Sequence, residues 1–328
     1  MIADKSMTGQ QPTWAIVATV DEPPALVQAF VAWHLALGAA EVMLYFDRPD
    51  DPAAGLFAHL AAVTVVRCDS AYWNGRRPDK HEIRQVRNAT HAYGRMQSDW
   101  LLHADADEYL WTEGSVSAAL DHAYPRTDCL VVPVAERVIA DDAPAGTIFA
   151  GAFRRPARKG QITDGGLTSR GLTGHANGKA FSRRDRPVEV SIHRARGLKG
   201  TAVSTEPAKG LELLHFDGLT PLNWVYKLLR KADAVAHHNG MAASPHRQAQ
   251  IDAVQVDPAA AFALHDRLKR PDLDQLRAKG LLAEPPFDPA DALARFFPGD
   301  RIDLSPQAID DWLRREKRDV LGVLAQCQ

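Results

Sequence analysis

From Trp14 to Val134 the chain repeats one pattern: a short apolar run, a punctuating turn, then a stretch with helical spacing. "WAIVATV" (Trp14 to Val20), "EVMLYF" (Glu41 to Phe46), "VTVVR", "DWLLHA" and "CLVVPV" (Cys129 to Val134) read as strands. Between them, "DEPPALVQAFVAWHLALG" predicts a helix with Pro23 and Pro24 near its start and Gly38 at its end. A short helix is expected near Leu56 to Leu60, and "KHEIRQVRNATHAYGRM" (Lys80 to Met96) has helical spacing. Strands alternating with helices predict an α/β fold: a Rossmann-like, mostly parallel sheet with helices on both faces.

In such sheets ligands bind at the carboxyl ends of the strands. Three of these runs end in acids: Asp21 and Glu22, then Asp47, then Asp105 and Asp107 in "LLHADADEYL". A DxD alone is more often a solvated turn or a helix cap. One that ends a buried strand, with other acids at the same sheet edge, points to a hard divalent cation beneath a phosphate. If the strand continues through Asp105 and Asp107, the two carboxylates share a side, while Glu108 points the other way and braces the turn.

After Val134 the alternation weakens. The segment from Ala150 to Gly210 is rich in Gly, Arg and Lys and predicts short strands among long loops; its charge runs read mainly as solvated faces. "LELLHF" is a further strand, and "LTPLNWVYKLLRKADAVAHH" a helix introduced by Thr220 and Pro221. From about Asp257 the chain reads as short, Pro-punctuated helices, closing on "SPQAIDDWLRREKRDVLGVLAQ" with Ser305 and Pro306 as a cap. Those last helices carry apolar residues at packing intervals and are expected to be structural. His34, on the first amphipathic helix, also reads as structural.

The net charge of −2 argues against a general nucleic-acid binder, and the three cysteines form no CxxC pair. The polar N-terminus lacks a signal-peptide core, and no apolar stretch is long enough to span a bilayer. A cytoplasmic setting is expected, with peripheral membrane contact and homo-oligomer formation left open. No GxGxxG follows the first strand and no GKS or GKT loop exists, which argues against redox Rossmann and P-loop chemistry.

"VATVDEPPALVQAFVAWHLALGAAEVMLYFDRPDD" followed by "RNATHAYGRMQSDWLLHADADEYL" resembles the family 2-like glycosyltransferases of the GT-A fold, including the group close to family 92. "GKAFSRRDRPVEVSIHRARG" and "LELLHFDGLT" resemble that group's lysine-containing and histidine segments. The resemblance covers roughly Trp14 to Lys231. It departs in Asp21, where Asn is usual, and in Arg48 and Pro49 after Asp47.

The resemblance implies a metal-dependent transfer of sugar from a nucleotide-diphosphate donor, UDP- or GDP-type, to a glycan, lipid-linked or other carbohydrate acceptor. With the alternation up to Val134 and the Pro-punctuated helices after Asp257, a GT-A domain is expected over 14–240, a helical extension over 241–328 and a disordered stretch over 1–13. Asp47 would face the base, with Asp21 and Glu22 in the same pocket, Arg87 at the nucleotide or its diphosphate, and Asn88 setting the helix. Asp105 would contact ribose or metal, and Asp107 would bind Mn²⁺ or Mg²⁺. His215, then His193, are the candidate imidazole ligands. Lys179, beside Gly178, could approach the diphosphate. Asp217 and Asp164 are the candidate bases for an inverting transfer. The competing readings are a metal-dependent phosphohydrolase and a non-catalytic nucleotide-sugar-binding protein.

Overall fold

The protein is described by a computed structural model covering residues 11–123, 125–140, 146–162, 164–237, 243–257 and 260–325. The first half carries strands Trp14–Val20 (β1), Glu41–Phe46 (β2), Val63–Arg67 (β3), Trp100–His103 (β4), Glu108–Trp111 (β5), Cys129–Val132 (β6) and Val134–Val138 (β7). Its helices are Pro24–Ala36 (α1), His81–Tyr93 (α2) and Val116–Asp121 (α3). Strands Ala152–Arg154 (β8), Lys179–Arg183 (β9), Val188–Val190 (β10), Ala195–Gly197 (β11), Thr205–Pro207 (β12) and Glu212–His215 (β13) follow. Helices Pro221–His237 (α4), Pro245–Val256 (α5), Ala260–Lys269 (α6) and Leu273–Ala278 (α7) come next. Leu282–Ala283 (β14), Ala290–Phe296 (α8), Pro306–Glu316 (α9) and Arg318–Ala325 (α10) complete the chain.

These elements cluster into two compact units. Unit 1 takes in the described residues of Met1–Asp21, Phe30–Pro133 and Gly178–Leu213, and unit 2 those of Glu22–Ala29, Val134–Asn177 and Leu214–Gln328. The units interleave along the chain, whereas the sequence expectation placed one boundary near 240. The expected disorder over 1–13 falls mostly on residues 1–10, outside the described residues.

Unit 1 is built on a seven-stranded sheet in the order β12-β6-β9-β4-β1-β2-β3. The pairs β1–β2, β2–β3, β1–β4 and β12–β6 are parallel, and β9 runs antiparallel between β4 and β6. The mostly parallel α/β architecture expected from the alternation is therefore present. Every residue of β1 is buried, as a central parallel strand requires, while β3 at the edge is only half-buried.

Helices cover both faces of this sheet. On one, Ala15, Val17, Met43, Tyr45 and Leu101 meet Ala89 and Ala92 of α2. On the other, Trp14 packs edge-on against His34 of α1 and Phe181 of β9. The 3-10 turn over Pro52–Phe57 overlaps only the start of the short helix expected near Leu56 to Leu60. Asp51 starts it by accepting from the Ala53 N–H.

"CLVVPV" is not one strand. Pro133 has no N–H to give a ladder, and the run divides into β6 and β7, which belong to different sheets. β5 was also unexpected, because its first residue is an acid. It is held by α1: the Trp33 indole donates to the Leu110 carbonyl at 2.7 Å, and the Leu110 N–H donates to His34 Nε2 at 3.2 Å.

Unit 2 contains a sheet in which β14, β8, β7 and β13 lie in that order, with β8 antiparallel to both β14 and β7. Among the described residues from Pro245 onward, its named elements are helices apart from the two-residue β14. Trp224, Val225 and Leu228 of α4 pack with Ile251 and Val254 of α5 and with Ala261 and Leu268 of α6. Ser305 caps α9 by accepting from the Ala308 N–H at 3.2 Å, with Pro306 in its first turn. Among the described residues no helix is long and apolar enough to cross a membrane.

Candidate functional site

Because β1, β2, β3 and β4 are mutually parallel, their carboxyl ends share one edge of unit 1. A crevice of about 520 Å³ opens there, lined by Asp21 after β1, Asp47 and Arg48 after β2, and Cys68 after β3, with Trp73 and Arg77 beyond. Glu22 is not among its lining residues. Trp73 is 7% exposed, and its indole N–H has no hydrogen-bond partner among the described residues. A buried donor of that kind is costly until something accepts from it.

Asp47 is the organising anion of this edge. Its two oxygens accept from Arg84 Nε at 2.7 Å and Nη2 at 2.6 Å, and Arg77 Nη2 donates to Oδ1 at 3.0 Å. Burial alone would raise the Asp47 carboxyl, but hydrogen bonds from His81 and Arg84 hold it well below the usual carboxylate range. Arg84 Nη1 also donates to the carbonyls of Pro78 and Asp79, tying the segment before α2 to the end of β2.

Asp47 was expected to face a nucleotide base. It does line the crevice, but Arg84 engages both of its oxygens. Sequence reasoning singled out Arg87 and passed over Arg84. Arg87 lies on the exposed side of α2, whereas Arg84, Gln85 and Asn88 form the buried side. The signal was available in principle, since only the i, i+1, i+4 set can face the sheet.

Asn88 does what was expected of it. Its amide donates to Thr19 Oγ1 at 2.9 Å and accepts from the Tyr72 hydroxyl at 2.8 Å, pinning α2 to β1. Arg48, one of the departures noted above, donates to Asp51 at 2.6 Å and lies 3.6 Å from Asp21.

At the end of β4 the chain leaves the strand after His103, so Asp105 and Asp107 fall in a turn and strand alternation does not align them. Asp105 Oδ1 accepts from Gln85 Nε2 at 2.6 Å and Oδ2 from Lys179 Nζ at 2.8 Å. Glu108 accepts from the Asp105 N–H at 2.9 Å, bracing the turn, and also lies 3.1 Å from Lys179 Nζ. Asp107 is buried. Lys179 is not a solvated loop lysine but a wholly buried one. Burial would lower its ammonium's pKa, yet the Asp105 and Glu108 carboxylates raise it above the usual lysine value. His193 Nδ1 lies 3.0 Å from the Gly178 carbonyl.

The remaining candidates belong to unit 2. His215 is buried and stacks on His175, ring centres 5.1 Å apart. Gly174 beside them has no room for a side chain: a Cβ there would sit 2.7 Å from His215 Cε1 and 3.0 Å from Glu136 Oε2. Asp217 is 1% exposed and accepts from Thr173 Oγ1 at 2.8 Å. Burial opposes its charge, but Arg247, Lys269 and Lys227 hold its carboxyl well below the usual range. Glu136 receives Lys269 Nζ at 2.9 Å. Nothing in sequence reasoning anticipated this buried ionic cluster. Asp164 is half-buried, accepting from the Thr168 hydroxyl and from the Gly166 N–H at 3.1 Å.

Cys68 and Cys129 are free and buried, and Cys327 lies outside the described residues. The sequence matches no family model and no curated protein. Among solved structures the chain is similar to HddC from Yersinia pseudotuberculosis, with 10% identity and a TM-score of 0.35, over 66% of this chain and 97% of that one. It is also similar to S. aureus TarS 1–349, with 12% identity and a TM-score of 0.32, over 96% of this chain and 92% of that one.

Proposed function

We propose that the chain is a glycosyltransferase that takes its donor as a nucleotide-diphosphate sugar. The observation that carries this reading is the crevice at the carboxyl ends of β1, β2 and β3, beside the Asp105–Glu108 turn at the end of β4. A nucleoside fits a crevice of that size, with Trp73 as an apolar wall and N–H donor and Arg77 as a cation at the rim. The diphosphate would then extend toward the Asp105–Glu108 turn. The sequence resemblance to family 2-like glycosyltransferases points the same way.

Mn²⁺ or Mg²⁺, the ion that this resemblance implies, would neutralise charge on the departing diphosphate. The residues fit it only in part: Asp107 can serve as a ligand, while Asp105 is already engaged by Gln85 and Lys179. In the transfer, the bond from the anomeric carbon to the phosphate oxygen breaks and a bond to the acceptor hydroxyl forms. That hydroxyl's proton goes to a base. Asp217 is a poor candidate, because its carboxylate is buried and held by Lys269, Arg247 and Lys227, so its role is that of a counter-ion. The acceptor is a carbohydrate or glycolipid in this reading.

The test is release of nucleoside diphosphate from a panel of UDP- and GDP-sugars, with and without Mn²⁺ and oligosaccharide acceptors. Acceptor-stimulated release from at least one donor is expected. Donor binding with no release would favour the non-catalytic binder. Turnover of phosphomonoesters alone would favour the phosphohydrolase.

A further inference from the structure

Lys179 sits where a cation would be sought. It opens β9, which pairs antiparallel with both β4 and β6, Lys179 itself standing opposite Val132. Gly178 makes that approach possible: its φ is +67°, and a Cβ there would lie 2.1 Å from the Val132 carbonyl oxygen. The ammonium is delivered, wholly buried, to Asp105 Oδ2 at 2.8 Å and Glu108 Oε2 at 3.1 Å. The other oxygen of Asp105 is held by Gln85 at 2.6 Å.

A divalent ion bound to Asp105 Oδ2 at about 2.2 Å could lie no more than about 5 Å from the lysine nitrogen. The two cations would compete for one half-buried carboxylate, where charge is screened less than in bulk water. With a covalently tethered competitor, the lysine has the advantage of effective concentration.

We propose that Lys179 is the resident cation of the Asp105–Glu108 turn, a positioning residue that holds both carboxylates and keeps Asp105 out of the coordination shell of any divalent ion. This inference rests on the nucleotide-sugar reading only for its consequence. In that reading, the positive charge facing the donor is partly built into the protein, and added metal contributes without Asp105.

The test is a Mn²⁺ titration of the full chain without nucleotide, following free Mn²⁺ by its paramagnetic resonance signal. The parent, Lys179→Met, Lys179→Arg and Asp105→Asn are compared. Lys179→Met removes the competing ammonium from Asp105 Oδ2 and Glu108 Oε2 and is expected to tighten Mn²⁺ binding at least tenfold, whereas Lys179→Arg keeps the parent's weak binding. Equal affinity in parent and Lys179→Met would overturn the proposal. Should Lys179→Met fail to fold, Asp105→Asn decides. A change below about twofold supports the proposal, and a loss of tenfold or more makes Asp105 a metal ligand and overturns it. A parallel titration of the parent with nucleoside diphosphate tests the nucleotide-sugar reading separately, because its outcome does not depend on which cation Asp105 holds.

Discussion

His34 makes the protein's stability depend on pH in a calculable way. Its ring is wholly buried. Nε2 accepts the Leu110 N–H at 3.2 Å, which assigns the proton to Nδ1, 2.8 Å from the Phe30 carbonyl. Both nitrogens are thus used by the neutral ring. Burial lowers its pKa to about 3, despite the opposing effect of the Phe30 carbonyl. The unfolded chain takes up a proton near pH 6.5 and the folded one does not. The stabilisation is therefore complete above pH 6.5, and it is lost as pH falls from there toward 3.

At pH 5 the proton taken up by the unfolded state costs about 1.5 units at 1.36 kcal/mol each, or roughly 2 kcal/mol. His34→Leu has no such linkage. At pH 7 it should be less stable than the parent by about 1–3 kcal/mol, the cost of an unpaired Leu110 N–H. At pH 5 that gap should narrow by about 2 kcal/mol. Urea unfolding of both proteins at the two pH values reads the difference directly, and contributions from His103 and His265 cancel in it. A gap that stays constant with pH would refute the neutral, doubly bonded ring.

Two further perturbations probe the frame around the crevice and the C-terminal helices. Arg84→Met strips Asp47 of a bidentate partner in a buried pair and should cost about 3–5 kcal/mol in urea unfolding at pH 7. It should also remove part of the stability that Asp47, with its lowered pKa, supplies above about pH 4 and loses below it; an unchanged acid limb would contradict this. Ser305→Ala should cost about 1 kcal/mol through loss of the α9 cap, and an unchanged urea midpoint would remove that cap's role.

What the sequence made legible follows from how local each signal was. The bounds of β1, β2 and β3 could be read directly, because continuous apolar runs between turns have few alternatives. β5 could not, since the buried Glu108 at its start is paired with Lys179, far along the chain. α5 was passed over because half of its segment is polar and it buries only Gln250, Ile251 and Val254. Within the site, the acids at the strand ends were visible as a group. Their partners were not: a lysine and an arginine look the same in sequence whether solvated or buried against a carboxylate. Lys179 and Lys269 both turned out to be wholly buried, and Arg84 nearly so.

The most direct test of the central claim is calorimetric titration of UDP and GDP, with and without Mn²⁺, into the parent and Trp73→Phe. One nucleoside diphosphate is expected to bind per chain, with affinity reduced about tenfold in Trp73→Phe, the equivalent of one lost hydrogen bond of about 1.4 kcal/mol. No heat of binding from either nucleotide at millimolar concentration, or equal affinity in the two proteins, would contradict a nucleotide seated in the crevice beyond β1, β2 and β3.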